Sequence, residues 1–229
     1  MKYYLIAGEA SGDLHGSNLM KALKAEDRQA EFRFYGGDLM AAMGGILVRH
    51  YRSMAFMGLV EVLANLRTIL SNMKNCKKDI AYWQPDAVIL IDYAGFNLRI
   101  AEYAKKAGFR IYFYISPKVW VWKQSRIKKL KAFTDKLFVI FPFEVDFFKK
   151  HNMEVEYFGN PLIDAKEEFL SSNKMKKFAI PDDNGKPVIA LLSGSRKQEV
   201  TKCLPEMIKA TENFKDFQLV VAGASSIGK

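Results

Sequence analysis

Short apolar runs of strand length recur along the chain, at residues 3–7, 32–35, 87–91, 110–115, 136–141, 154–158, 188–192 and 218–222. Between most of them apolar residues fall at three- and four-residue steps, as in Leu59, Val62, Leu63, Leu66, Ile69, Leu70 and Met73, the spacing of one helix face. Strands alternating with helices predict an α/β fold, a Rossmann-like doubly wound parallel sheet covered by helices on both faces.

The pattern breaks at residues 174–186, where Pro181, Asp182, Asp183, Asn184 and Gly185 make a polar, turn-rich stretch that reads as a linker. Residues 1–173 are then one Rossmann-like domain, and 187–229 open a second. Beyond the linker lie one strand, one helix and one strand, too little to close a doubly wound core. The second domain is therefore expected to be truncated, the start of a longer unit.

Composition narrows the class. With 49% hydrophobic residues, 13% aromatic and 7 prolines in 229 residues, the chain can bury a sizeable core, which excludes disordered and collagen-like classes. Cys76 and Cys203 stand far apart and outside metal-ligand spacing, so no disulfide framework or zinc site is expected. The sequence opens directly on strand residues instead of a secretory signal, and no apolar run approaches the ~18 residues of a membrane span, so a cytoplasmic location is expected. Thirty-five Lys and Arg against 25 Asp and Glu give +10, a charge suited to nucleic acid, an anionic lipid surface or a phosphorylated substrate.

In an open α/β sheet ligands bind beyond the carboxyl ends of the strands, so residues just after each strand carry the chemistry. After the first strand come Gly8, Glu9, Ala10, Ser11, Gly12, Asp13, Leu14, His15 and Gly16. The glycines miss the dinucleotide fingerprint, and Glu9 and Asp13 put negative charge where a pyrophosphate would need a helix N-terminus. Carboxylates beside Ser11 and His15 suit hydroxyl recognition or proton transfer; a helix cap and a tight turn remain the plain alternative.

The run 87–91 is wholly apolar and ends in Asp92, ahead of Tyr93, Ala94, Gly95, Phe96 and Asn97. An acid at that rim, with apolar neighbours to raise its pKa, is the first choice for a general base, a turn carboxylate being the alternative. Ser116 to Arg126 interleaves Trp120 and Trp122 with Lys118, Lys123 and Arg126 and runs into Lys128, Lys129 and Lys131. Such a stretch stacks on bases or binds phosphate or lipid headgroups, or it is a packed turn with a solvated helix face. After the strand at 188–192, Ser193, Gly194, Ser195 and Arg196 lead into a helix containing Glu199, a credible phosphate cradle without the Gly-Lys-Ser/Thr of a Walker A loop. His15, His50 and His151 form no metal-ligand pair, and the Gly-x-Ser-x-Gly nucleophile elbow is absent.

Taken in order, GEASGDLHG (8–16), MGLVEVL (57–63), IDYAGFNLRIA (91–101), YISPKVWVWKQSRI (114–127), PFE (142–144), GNPLID (159–164) and ALLSGSRKQEV (190–200) closely resemble lipid-A-disaccharide synthases. The resemblance implies a two-domain GT-B glycosyltransferase whose first domain holds the acceptor and whose second binds the UDP-sugar. The implied reaction joins UDP-2,3-diacylglucosamine to 2,3-diacylglucosamine 1-phosphate (lipid X). It is inverting and needs neither metal nor other cofactor.

Carried over by motif, the resemblance implies Asp92 as base and Arg196 as an essential arginine of the donor-side loop. Glu9, Ser11, Gly12, Asp13, Asn97, Ser116, Trp120, Trp122, Arg126, Glu144 and Asn160 are implied on the substrate side. Ser193, Gly194, Ser195, Arg196 and Glu199 are implied at the UDP phosphates. The family writes Pro where Ser193 stands, and its uridine contacts lie mostly beyond Lys229. The two groups, Asp92 and the Ser193–Arg196 loop, are expected to face each other across a cleft. Acylated substrates imply a peripheral contact with the inner face of the inner membrane of a Gram-negative bacterium, through Phe56, Met57 and the helix at 58–72, with the lysines at 123–131 on anionic lipid; the helix also suits a plain core role. An oligomer is open. Other GT-B UDP-sugar transferases acting on lipid-linked acceptors, or a nucleic-acid-binding module, are the remaining readings, although the second leaves Asp92 and the acidic first loop without a purpose.

Overall fold

The computed structural model describes residues 1–54, 65–171, 184–195 and 197–223. Two compact units emerge, Met1–Glu168 and Phe169–Lys229. The expected linker, up to residue 183, lies outside the described residues, as do Phe56, Met57, the first half of the expected helix at 58–72, and Arg196.

The first unit is built on seven parallel strands in the order β3-β2-β1-β4-β5-β6-β7. They are β1 (Lys2–Ala7), β2 (Glu31–Gly36), β3 (Ile46–His50), β4 (Ala87–Ile91), β5 (Arg110–Tyr114), β6 (Lys136–Val139) and β7 (Glu156–Tyr157). The helices are α1 (Ala10–Glu26), α2 (Asp38–Ala42), α3 (Leu66–Trp83), α4 (Ala94–Lys106), α5 (Ile127–Phe133), α6 (Pro142–Lys150) and α7 (Pro161–Ser171). The α/β, doubly wound parallel class read from the sequence is the observed one.

Alternation explains the two layers of core. Tyr4, Ile6, Val88, Leu90, Ile111 and Phe113 point to one face, against Met73, Cys76 and Ile80 of α3, Phe96 to Ala104 of α4, and Leu130 and Phe148. Tyr3, Leu5, Ala7, Phe32, Phe34, Ala87, Ile89 and Ile91 point to the other, against Met20 of α1 and Met40 of α2. Residues at every second position of a strand share a face, so a strand covered on both sides reads as an uninterrupted apolar run. β4 is that case, buried along its whole length in register with β1 on one side and β5 on the other.

Details depart from the sequence reading, among them β6 and β7, which are shorter than the runs at 136–141 and 154–158. Strand β3 has no counterpart in the predicted elements: Ile46 is 52% exposed at the sheet edge, so the run Ile46–Val48 carries little of the burial signal that marks a central strand. Leu66 and Leu70 are exposed, and α3 turns Asn72, Met73, Cys76 and Ile80 inward instead. β5 stops at Tyr114, one residue early, because Ile115 enters the left-handed region at φ 67°.

In the second unit β8 (Val188–Leu191) pairs in parallel with β9 (Gln218–Val221), joined by α8 (Lys197–Ala210).

Candidate functional site

The carboxyl ends of β1 and β4, hydrogen-bonded neighbours at the middle of the sheet, frame a small concavity. Gly8, Glu9, Ser11, Gly12, Ile91, Asp92 and Tyr93 line it. It is a shallow notch, far smaller than a complete ligand pocket.

The turn after β4 is strained. Asp92 and Tyr93 both take positive φ, 43° and 48°, and neither is glycine. Two consecutive left-handed residues cost of order 1–3 kcal/mol each and persist only when surrounding contacts impose them. Those contacts are visible. Asn97 is completely buried, and its Nδ2 donates to the carbonyls of Asp92 (2.8 Å), Ile91 (3.2 Å) and Ile6 (3.4 Å), binding the ends of β1 and β4 together. The Tyr93 hydroxyl donates to the Met54 carbonyl at 2.7 Å, and its ring lies over Gly8, where a Cβ would come within 2.3 Å of ring carbons. Gly8 is thus required for space, whereas the turn itself is made without glycine.

This arrangement leaves the Asp92 side chain exposed on the rim, beside half-buried Glu9 and exposed Ser11. β4 is apolar up to Ile91, and the strained turn then sets the acid in solvent at the rim, where its place after an apolar strand puts it. Burial, and after it the negative charge of Glu9, push the Tyr93 phenol up to about 12. His15 lies one helical turn beyond Ser11; burial lowers its pKa, and among the described residues its Nδ1 has no hydrogen-bond partner. Carboxylate oxygens gathered at one rim suit donors such as sugar hydroxyls better than a phosphate.

Other residues expected on the substrate side have different work. Asp13 is 3% exposed, and its carboxylate accepts from the backbone of Gly37 (2.7 Å), Leu39 (3.0 Å) and Met40 (3.1 Å), fixing the start of α2 onto α1. Asn97 lines nothing: it is sealed beneath the Asp92 turn. Glu144 is 1% exposed and accepts from Ile140 N (3.1 Å), Phe141 N (3.0 Å) and Trp120 Nε1 (3.2 Å), so it closes the start of α6 and ties down the loop after β5. Asn160 Oδ1 accepts from Leu162 N at 3.0 Å, the bond of a helix cap on α7. Ser116 is buried, its hydroxyl directed to the Pro117 carbonyl at 3.1 Å. For Asp13, Asn97, Glu144, Asn160 and Ser116 these are corrections of contact, with one physical cause: polar side chains near strand ends satisfy backbone groups before they are available to a ligand. Gly12, by contrast, lines the concavity and packs on Ala7.

Trp122 does reach solvent, at 56% exposure, with Lys123 Nζ 4.4 Å and Arg126 Cζ 5.2 Å from its ring. Tyr93 is a site residue that the sequence reading misses. Its place directly after a strand-end acid is the one signal available, since side-chain reach to Met54 cannot be read from spacing.

In the second unit Ser193 is buried, Gly194 takes φ 107°, and Ser195 N donates to Glu199 Oε2 at 3.1 Å. Glu199 therefore braces the strand-to-helix loop from inside, against Gly194, where an added Cβ would sit 2.6 Å from Glu199 Oε2.

A family model described as lipid-A-disaccharide synthetase matches residues 3–226. A lipid-A-disaccharide synthase of Coxiella burnetii is 41% identical over 207 residues, covering 90% of this chain and 54% of the relative. That of Syntrophus aciditrophicus is 39% identical over 228 residues, covering 97% of this chain and 59% of the relative. The chain spans about half the length of the curated relatives it matches. Among solved structures, UDP-GlcNAc 2-epimerase from Neisseria meningitidis bound to UDP-GlcNAc superposes with a TM-score of 0.70 at 11% identity, over 98% of this chain and 66% of that one. The Methanocaldococcus jannaschii UDP-GlcNAc 2-epimerase in complex with UDP-GlcNAc and UDP gives 0.67 at 13% identity, over 99% and 67%. These two share the fold.

Proposed function

This chain belongs to the lipid-A-disaccharide synthetase family, and from that premise we propose that it supplies the acceptor-activating part of an inverting glycosyltransferase of lipid A biosynthesis. The acceptor is 2,3-diacylglucosamine 1-phosphate and the donor UDP-2,3-diacylglucosamine. Asp92 takes the proton from the acceptor's 6-hydroxyl as that oxygen attacks the anomeric carbon of the donor. The bond from that carbon to the phosphate oxygen breaks, UDP departs, and a β-1,6-linked disaccharide 1-phosphate is formed.

One observation carries the reading: Asp92 stands exposed at the carboxyl end of a buried central strand, on a turn held in a strained form by Asn97 and Tyr93. Strain of this kind is maintained where a side chain must be aimed. Glu9 and Ser11, on the same concavity, offer acceptors and a hydroxyl to the remaining sugar oxygens.

The departing diphosphate needs positive charge and backbone donors. In this reading Arg196 supplies the charge, at the end of the Ser193–Ser195 loop of the second unit that Glu199 shapes by accepting from Ser195 N. No metal or other cofactor enters this scheme, in which the base is a carboxylate and the leaving group is held by the arginine loop. Substrates with two acyl chains each place the reaction at the cytoplasmic face of the inner membrane, with the protein held there peripherally. Among the described residues no helix is long and apolar enough to cross a membrane.

The test is transfer by the full-length protein from UDP-diacylglucosamine to radiolabelled diacylglucosamine 1-phosphate. A labelled disaccharide with release of UDP supports the proposal; hydrolysis of the donor without transfer, or transfer to a different lipid-linked acceptor only, contradicts it.

A further inference from the structure

The carboxyl ends of β2 and β3 carry a second group of polar side chains, outside the concavity at β1 and β4. Strand β3 ends in His50, and a single 3₁₀ turn, Tyr51–Ser53, follows it. Asp38 stands just beyond the end of β2.

His50 is held from several sides. Its Nδ1 accepts from Arg52 N at 3.2 Å, its carbonyl accepts from Ser53 Oγ at 2.8 Å, and its ring lies on that of Tyr51 with centroids 4.7 Å apart. With Nδ1 used as an acceptor, the donor of the ring is Nε2. That atom is buried and has no hydrogen-bond partner among the described residues. Asp38 Oδ1 stands 3.4 Å from it, and Asp38 Oδ2 stands 3.6 Å from a terminal nitrogen of Arg52. Both separations are too long for charge-assisted hydrogen bonds. Two donors that flank one carboxylate, each too far to bond it, leave room for a larger anion. Asp38 is 74% exposed and Arg52 61%, so the carboxylate can swing into water and the guanidinium can turn to a ligand.

The turn is fastened to the edge that holds the proposed base. Tyr51 packs on Gly37, where an added Cβ would come within 2.3 Å of the Tyr51 ring. Asn72 Nδ2 donates to the Ser53 carbonyl at 3.3 Å, and the Met54 carbonyl, two residues after Arg52, accepts the Tyr93 hydroxyl at 2.7 Å. Tyr93 is the neighbour of Asp92. The strand order β3-β2-β1-β4 puts three strand spacings, about 14 Å, between the ends of β3 and β4, with Glu9 at the end of β1 between them.

Charge decides what the second group can take. Glu9 and Asp92 make the rim of the concavity acidic, which repels a phosphate. The acceptor of the proposed reaction carries its phosphate on the anomeric carbon, across the sugar ring from the 6-hydroxyl that meets Asp92. A guanidinium and an imidazole N–H suit that phosphate, the first by bidentate contact. The geometry points to His50 and Arg52 as the clasp for the anomeric phosphate of the acceptor, with Asp38 as the carboxylate that the phosphate displaces. The identity of the ligand rests on the proposed function; the clasp rests on the unbonded Nε2 donor and the fixed turn that carries it.

Full-length protein is titrated calorimetrically with glucosamine 1-phosphate and with glucosamine. The phosphate is expected to tighten binding by roughly ten- to hundredfold, the worth of a hydrogen bond to a charged group. Arg52→Ala should erase that preference, Arg52→Lys should restore part of it, and His50→Gln should reduce it. Asp38→Asn should strengthen phosphate binding, because it removes the competing charge. Equal affinity of the unaltered protein for the two ligands, a preference that survives Arg52→Ala or His50→Gln intact, or weaker phosphate binding by Asp38→Asn would each overturn the clasp. In transfer assays, the kcat/KM preference for diacylglucosamine 1-phosphate over diacylglucosamine should fall in Arg52→Ala by the same factor, and an unchanged preference overturns the clasp. Absence of transfer by the unaltered protein to either acceptor counts against the proposed function instead, and the calorimetry still decides the clasp.

Discussion

The side-chain amide of Asn97 donates to the backbone carbonyl of Asp92 at 2.8 Å, from a position with no solvent exposure. An asparagine five residues along the chain thus holds the carbonyl of a left-handed residue, and through it the direction of that residue's carboxylate. Asn97→Ala leaves the three carbonyls it serves without their donor, at a cost of about 1–3 kcal/mol. It should also lower kcat about a hundredfold with little change in KM, because a displacement near 1 Å of a reacting group costs on that order. Melting temperature and steady-state kinetics of the full-length variant check both; a normal kcat in a destabilised protein would reduce Asn97 to a purely structural role.

Asp13 makes the opposite prediction. Its three backbone acceptor bonds hold α2, so Asp13→Ala should destabilise the protein by about 2 kcal/mol. Activity per folded molecule should stay close to that of the unaltered enzyme. Denaturant unfolding alongside kinetics decides it, and a large loss of kcat at unchanged stability would return Asp13 to the substrate.

Tyr93 supplies a pH prediction. Its phenol is pushed up to about 12, first by burial and then by Glu9. The folded protein therefore holds this proton more tightly than the unfolded chain does. The associated stability is fully present below the ordinary tyrosine pKa near 10 and is lost as pH rises from about 10 to 12. Thermal unfolding across that range should fall more steeply for the native protein than for Tyr93→Phe, which lacks the titrating hydroxyl; parallel curves would show that Tyr93 titrates normally.

The frame of the fold is legible because burial on both faces writes itself into composition. β1 and β4 read as apolar runs for that reason, and each strand of the first sheet except β3 can be placed from such runs. Ile46 to His50 escape because an exposed edge strand has no such constraint. At the site, the location of Asp92 is legible from the abrupt change from apolar strand to acid. The roles of Asp13, Asn97 and Glu144 are not, since a polar side chain that will be consumed by backbone groups looks in sequence like one offered to a ligand. Nor does any residue type announce two successive left-handed positions at Asp92 and Tyr93; those are imposed by contacts with Met54, Gly8 and Asn97, distant in sequence or hidden in the core.

General-base catalysis by Asp92 is the claim on which the rest turns. Asp92→Asn keeps the shape of the side chain and removes its ability to accept a proton, which should lower kcat for disaccharide formation by about 10²- to 10⁴-fold. Donor affinity, which the proposed scheme assigns to the second unit, should be unchanged. Measured on the full-length protein with saturating UDP-diacylglucosamine and diacylglucosamine 1-phosphate, a loss of that size with an unaltered donor Kd is the predicted result; an Asp92→Asn enzyme turning over at the native rate would contradict it.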